Sequence, residues 1–138
     1  GHAGSDVVDS EGIMAALRRA AADALAQLGE RGLVPDAVLL DGSHNWWVED
    51  SLFDFDPILP QVPVRMQVKG DASCAVVAAA SVAAKVERDR LMVDLAAQYP
   101  GYDWASNKGY SSVRHIEGLR ALGPSPLHRT SWHLPGVS

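Results

Sequence analysis

Apolar positions recur at helical spacing from Ile13 through Leu17, Ala20 or Ala21 and Ala24 to Leu28, with Arg18, Arg19, Asp23 and Gln27 between them. That pattern predicts an amphipathic helix ended by Gly29. Residues 1–10 are small and polar and hold its candidate caps, Ser5, Asp6, Asp9 and Ser10. Gly32 and Pro35 make 30–36 a connection, after which Ala37–Leu40 is a short apolar run. It predicts a strand buried on both faces and ending at Asp41. From Val62 the period changes to two: Val62, Val64, Met66 and Val68 alternate with Pro63, Arg65, Gln67 and Lys69. This reads as a second strand, with Pro63 marking an edge or a start. The chain then breaks at Gly70 and Asp71 and continues as a long alanine-rich helix with Val77, Ala80, Ala84, Leu91 and Leu95 on one stripe. Pro100-Gly101 requires that helix to end near Tyr99. A last helix is predicted from a cap at Ser111 or Ser112, with Val113, Ile116, Leu119 and Leu122 inward and Gly123-Pro124 as the stop. Strand, helix and strand in alternation predict an α/β layered fold.

At 138 residues and 47% hydrophobic, the chain has one domain's worth of sequence, 1–138. Its net charge of −5 argues against coating nucleic acid by bulk charge. The acids are concentrated before residue 85, however, whereas 105–138 hold Lys108, Arg114, Arg120 and Arg129 against Glu117 alone. A basic end facing phosphates and an ordinary solvated surface both fit that bias. The single cysteine, Cys74, excludes an internal disulfide and sits among Ala75, Val76 and Val77, as a buried inert thiol would. There is no run of roughly 18 apolar residues of the kind that spans a membrane. Residues 1–10 lack the basic and apolar regions of a signal peptide, so a cytoplasmic protein is expected.

Two carboxylates stand where chemistry is usually placed in α/β sheets. Asp41-Gly42 closes the first strand, and ligands bind outside the carboxyl ends of such strands. Asp71 lies at a strand-to-helix break, where helix amides and dipole favour an anion that could hold a cation; an Asp there also serves as a simple cap. The local sequence leaves Asp41 open between a turn residue and a ligand. Between 43 and 60, Trp46, Trp47, Phe53 and Phe55 suggest either base stacking or cover for a core edge. His44, Asp54 and Asp56 fit a solvated loop better than a ligand set.

Three stretches then share one resemblance. Lys69-Gly70-Asp71, Ser73, Ala78 to Ser81 and the run Ala84-Lys85-Val86-Glu87-Arg88-Asp89 resemble the signature of type 2 ribonucleases H, bacterial ribonuclease HII in particular. The stretch Leu39 to Trp46 resembles that family's Asp-Gly metal strand, and Asn107 to His115 resembles its NKGY or HKGY substrate loop. The stretches come in family order, with the two aspartates 30 residues apart. The tail from His128 to His133 also resembles the family's terminal segment, without an assignable chemistry.

The resemblance implies a ribonuclease H-like fold, a mixed central sheet flanked by helices, of which this chain would be the later part. It implies an endoribonuclease that cuts the RNA strand of RNA–DNA hybrids, or ribonucleotides embedded in duplex DNA, by two-metal hydrolysis to a 3′-hydroxyl. Asp41 and Asp71 would be catalytic metal ligands for Mg2+ or Mn2+, whose preference for oxygen donors suits carboxylates. Tyr110 would stack on the deoxyribose after the ribonucleotide, and Lys108 and Lys85 would contact phosphates. Ser73 and Ser81 match motif positions, with a helix-lining role as the alternative. No segment matches the family's Gly-x-Asp-Glu-x-Gly-Arg-Gly strand, which carries two further carboxylates. An N-terminal segment or second chain is therefore expected to complete the site, the alternative being a non-catalytic nucleic-acid-binding or assembly fragment.

Overall fold

The computed structural model describes residues 1–48 and 58–137; Phe53, Asp54, Phe55 and Asp56 lie outside the described residues. The chain divides into two compact units, Gly1–Ala78 and Ala79–Ser138. The mixed α/β content, with a parallel sheet and helices, agrees with the ribonuclease H-like fold expected from the sequence.

In the first unit the polar start is itself helical, α1 at Ser5–Glu11, which the search for caps alone did not foresee. Gly12, at φ 86°, separates it from α2, Ile13–Gly29, the helix that the apolar spacing predicted. Strand β1, Val38–Asp41, pairs in parallel with β2, Val64–Gln67, in a register that sets Leu40 opposite Met66 and Asp41 opposite Gln67. Val38 and Gly42 extend the ladder through their amides to Pro63 and Gln67, so pairing reaches just past Asp41.

The core of this unit is Leu40, Trp47 and Leu59, with Ala21, Ala22 and Leu25 of α2 packed on it. Only one face of β1 is covered, because Leu39 is 40% exposed while Leu40 is buried. The expectation of a strand buried on both faces is corrected accordingly. Trp47 is a core residue whose indole N–H donates to the Pro60 carbonyl at 3.1 Å. Of the two readings for the tryptophans, core cover is therefore the one realised at Trp47, as an indole with a satisfied N–H allows. Arg18 ties α2 to the connection after β1, its Nε donating to the Trp46 carbonyl at 3.0 Å.

Past β2 the chain makes a single helical turn, α3 at Gly70–Ser73, before α4, Ala75–Gln98. Cys74, half-buried rather than buried, sits between them in extended conformation, φ −134° and ψ 115°. The sequence predicted one continuous helix; an extended residue removes the aligned peptides that would have joined the two. Helix α4 crosses from the first unit into the second. Of its predicted stripe, Val77 is buried and Leu95 half-buried, whereas Ala80, Ala84 and Leu91 are exposed. No helix among the described residues is long and apolar enough to cross a membrane.

The second unit is organised around aromatic rings. Tyr102, Trp104 and Leu119 form its core, with Met92, Leu95, Ala96 and Tyr99 against it. Tyr102 stacks on Trp104 at a centroid distance of 5.1 Å, and His128 lies 4.8 Å from the Tyr102 ring. A short helix, α5 at Trp104–Asn107, precedes α6 at Val113–Leu122. Ser112 caps α6 as predicted, its hydroxyl accepting from the His115 amide at 3.2 Å. The buried face differs from expectation. It carries His115, Gly118 and Leu119, while Val113 is 74% and Leu122 58% exposed. Gly118 decides this rotation, since only a residue without a side chain lets the helix settle on the backbone of Gly101 and Tyr102.

His128 gives this unit a pH dependence. Burial, and then the neighbouring His115, hold its pKa below the ordinary 6.5. The Ser125 amide donates to Nδ1 at 2.9 Å, which puts the neutral ring's proton on Nε2. That Nε2 is buried and has no hydrogen-bond partner among the described residues. The unfolded chain takes up this proton near pH 6.5, whereas the folded chain resists it until a lower pH. Stability from this group is therefore complete above 6.5 and falls as pH drops from 6.5 towards the folded value, by at most about 1.4 kcal/mol per pH unit. Denaturant unfolding between pH 7.5 and 5 should show a flatter slope in His128→Gln than in the parent. An unchanged slope would assign the effect to other groups.

Candidate functional site

The two aspartates singled out in the sequence meet at one short stretch of backbone. Asp41, at the carboxyl end of β1, accepts the Gly70 amide on Oδ1 at 2.8 Å. Asp71 is the next residue along the chain. Gly70 is buried, and a Cβ placed on it would lie 3.3 Å from that same Oδ1 and 3.2 Å from Val77 Cγ1. A side chain there would press on both atoms, so the close approach of carboxylate and backbone favours glycine. Lys69 turns the corner in the left-handed region at φ 53° and ψ 44°, a conformation that costs a non-glycine residue of order 1 kcal/mol or more. Its carbonyl accepts the Ala72 amide at 3.1 Å and the Ser73 hydroxyl at 3.0 Å, which hold the turn. Ser73 is exposed, and its hydroxyl closes this turn.

Both carboxylates are exposed. Asp71 makes no hydrogen bond or ion pair among the described residues, and there Asp41 Oδ2 accepts none. Asp71 does not cap the long helix, which begins only at Ala75, and one turn of α3 carries too few aligned peptides to supply the dipole expected at that position. As donors, two carboxylates suit a hard divalent cation such as Mg2+ or Mn2+, which bind oxygen and keep several waters. Among the described residues no group of three or more His, Cys, Asp or Glu gathers that could hold such an ion.

The remaining predicted residues lie in the second unit. Asn107 organises their loop: its side-chain amide donates to the Tyr102 carbonyl at 2.8 Å and to Ser112 Oγ at 3.3 Å, and its Oδ1 accepts the Gly109 amide at 2.8 Å. Lys108 follows in left-handed conformation at φ 53°, and its ammonium is turned back onto the Ala105 carbonyl. Tyr110 is 59% exposed, with the Arg88 guanidinium carbon 4.7 Å from its ring centroid. Lys85 is exposed on α4 and makes no hydrogen bond or ion pair among the described residues. Sequence reading singled out neither Asn107 nor Arg88, although both fall inside quoted motifs. The Asn-Lys-Gly turn signal pointed to the first; nothing local pointed to the second.

One carboxylate at the carboxyl end of a parallel strand and a second in the turn after the next strand are an arrangement that many α/β families share. Comparison with known proteins narrows the choice. The family model for Ribonuclease HII matches residues 3–134. A Ribonuclease HII of Streptomyces avermitilis is 43% identical over 132 residues, covering 96% of this chain and 51% of the relative. One of Roseobacter denitrificans is 42% identical over 135 residues, covering 96% and 60%, and one of Lachnoclostridium phytofermentans is 45% identical over 105 residues, covering 76% and 37%. The chain belongs to the ribonuclease HII family. It spans about half the length of the curated relatives it matches.

Proposed function

We propose that this chain supplies Asp41 and Asp71 to the site of a metal-dependent endoribonuclease. The enzyme would cut the RNA strand of RNA–DNA hybrids and ribonucleotides embedded in duplex DNA. The observation that carries the reading is the seating of Asp41 on the amide that directly precedes Asp71, within a chain of this family. Residues 1–138 are the later part of a single catalytic domain in this reading. A segment bearing the Asp-Glu and Gly-Arg-Gly motif adds the remaining carboxylates. The protein works in the cytoplasm on nucleic acid.

Each residue has a defined task. The Gly70 amide fixes the orientation of the Asp41 carboxylate, so one oxygen is held and the other is presented. Asp71 presents its charge from the tight turn at Lys69. When bound, Mg2+ or Mn2+ ions supply positive charge to the scissile phosphate and lower the pKa of water. Water adds to phosphorus and the bond to the 3′ oxygen breaks, leaving a 3′-hydroxyl on one fragment and a 5′-phosphate on the other. Tyr110 offers a ring face to the sugar beyond the ribonucleotide. Lys85 and Lys108 meet phosphates, with Lys108 first leaving the Ala105 carbonyl; such contacts add salt-dependent affinity without sequence preference.

The test is cleavage of a DNA duplex holding one embedded ribonucleotide, with Mg2+ or Mn2+. This chain is assayed alone, and then together with a segment carrying the Asp-Glu motif. Cutting that needs both partners and leaves a 3′-hydroxyl is the expected result. A folded complex that binds the duplex but never cuts it would instead identify a binding or assembly fragment.

A further inference from the structure

We propose that Arg88 is a positioning residue for Tyr110: its guanidinium holds the tyrosine ring in the orientation that meets the nucleic acid. The inference rests on the reading of Tyr110 given above. Three contacts converge on Arg88. Its Cζ lies over the Tyr110 ring at 4.7 Å from the centroid, well inside the range of a cation–π contact. Its Nη1 faces Asp89 Oδ1 at 3.5 Å, and both atoms are buried with no hydrogen-bond partner among the described residues. On the loop side, a Cβ added to Gly109 would stand 3.4 Å from Arg88 Nη2 and 3.1 Å from Met92 Cε.

The guanidinium is thus bordered by a carboxylate, a glycine backbone and a ring, while the Arg88 side chain as a whole stays 40% exposed. This arrangement separates two roles that a basic residue near nucleic acid could have. A phosphate contact would have to use the exposed part of the Arg88 side chain, whereas Nη1 is buried beside Asp89 and Nη2 lies near Gly109. Lys85, one turn earlier on α4, and Arg90, two residues later, are exposed cations of that helix segment. Tyr110 itself remains 59% exposed, so a ring steadied by Arg88 still has surface to offer a sugar. The loop below it is already tied by Asn107, and Tyr110 closes onto the Asn107 carbonyl through its own amide at 2.9 Å. Arg88 acts on the side chain that those backbone bonds leave unrestrained. Lysine would keep the charge without the planar group that stacks.

Two measurements test this. In NMR spectra of this chain, the Arg88 δ-methylene protons should be shifted upfield by the Tyr110 ring, and Tyr110→Leu should remove the shift. Affinity for a duplex with an RNA-to-DNA junction should then fall about two- to fivefold in both Arg88→Leu and Arg88→Lys. The same changes made on Tyr110→Leu should cost nothing more, and the salt dependence of binding should stay that of the parent. Restoration by lysine, a full loss persisting in the Tyr110→Leu background, or a salt slope reduced by about one would each overturn the proposal in favour of a direct phosphate contact. If the parent chain does not prefer the junction duplex to plain DNA, the functional reading of Tyr110 fails. The ring-induced shift then decides the Arg88 contact by itself: its presence upholds the positioning and its absence refutes it.

Discussion

Asp71→Asn is expected to abolish ribonucleotide cleavage by the completed site while leaving the fold intact. The carboxylate is exposed and makes no hydrogen bond or ion pair among the described residues, so asparagine, nearly the same shape, removes only the charge. Surface changes of that kind alter stability by about 0.5 kcal/mol or less. Activity is another matter. Charge stabilisation by bound ions is worth several kcal/mol in the transition state, and about 1.4 kcal/mol is a factor of ten in rate. A loss of about a thousandfold or more in the cleavage rate is therefore expected, together with weakened Mg2+ binding by calorimetry and an unchanged melting temperature. Asp41→Asn should behave alike, since an asparagine carbonyl can still accept the Gly70 amide and only the second oxygen is exchanged. Cleavage within tenfold of the parent in Asp71→Asn would remove this residue from the ligand set.

The largest effect on stability is expected from Gly118→Ala. On propensity alone, alanine inside α6 should stabilise the helix by about 1 kcal/mol. Packing reverses the sign. A Cβ at 118 would stand 2.2 Å from the Gly101 carbonyl oxygen, 3.1 Å from its carbon and 3.2 Å from Tyr102 Cα. All three are backbone atoms, so no side-chain rotation relieves the overlap. Either α6 lifts or the 101–102 segment shifts, and the second option disturbs the Tyr102 bond to Gly123 and the Asn107 bond to the Tyr102 carbonyl. Overpacking of this kind costs about 1–3 kcal/mol in side-chain cores and more against rigid backbone, which exceeds the propensity gain. Denaturant unfolding should place Gly118→Ala at least about 2 kcal/mol below the parent. Glu117→Ala, one residue earlier on the exposed side, should stay within about 0.5 kcal/mol. Parent-like or higher stability in Gly118→Ala would show that the contact yields easily and does not set the seat of α6.

Both expectations reach Asp71 and Gly118 by different routes. Asp71 was legible as a candidate from the residues around it, because Lys69-Gly70-Asp71 follows a strand and precedes a helix. Gly118 was invisible in the sequence, where a glycine within a helical pattern reads only as a weak point. The pattern also misjudged the helix around it, favouring Val113 and Leu122 as inward residues over His115 and Gly118.

What the sequence by itself determined is local and periodic. The α2 helix from its apolar spacing, the strand at Val64–Gln67 and the Ser112 cap each follow from interactions within a few residues and appear in the structure, although burial along the strand does not alternate, Met66 being exposed and Gln67 half-buried. The order of the three motifs also belonged to the sequence, and with it the family. Only the tertiary structure decided which faces those elements bury and which distant groups they join. Asp41 reaches the Gly70 amide across 29 residues, and the tilt of α6 depends on a backbone segment 17 positions earlier. The break at Cys74 and the seating of Arg88 under Tyr110 are of the same kind. Periodicity shows that a helix has an apolar side; the packed partner selects the side that is buried, because close packing depends on the shapes of both surfaces.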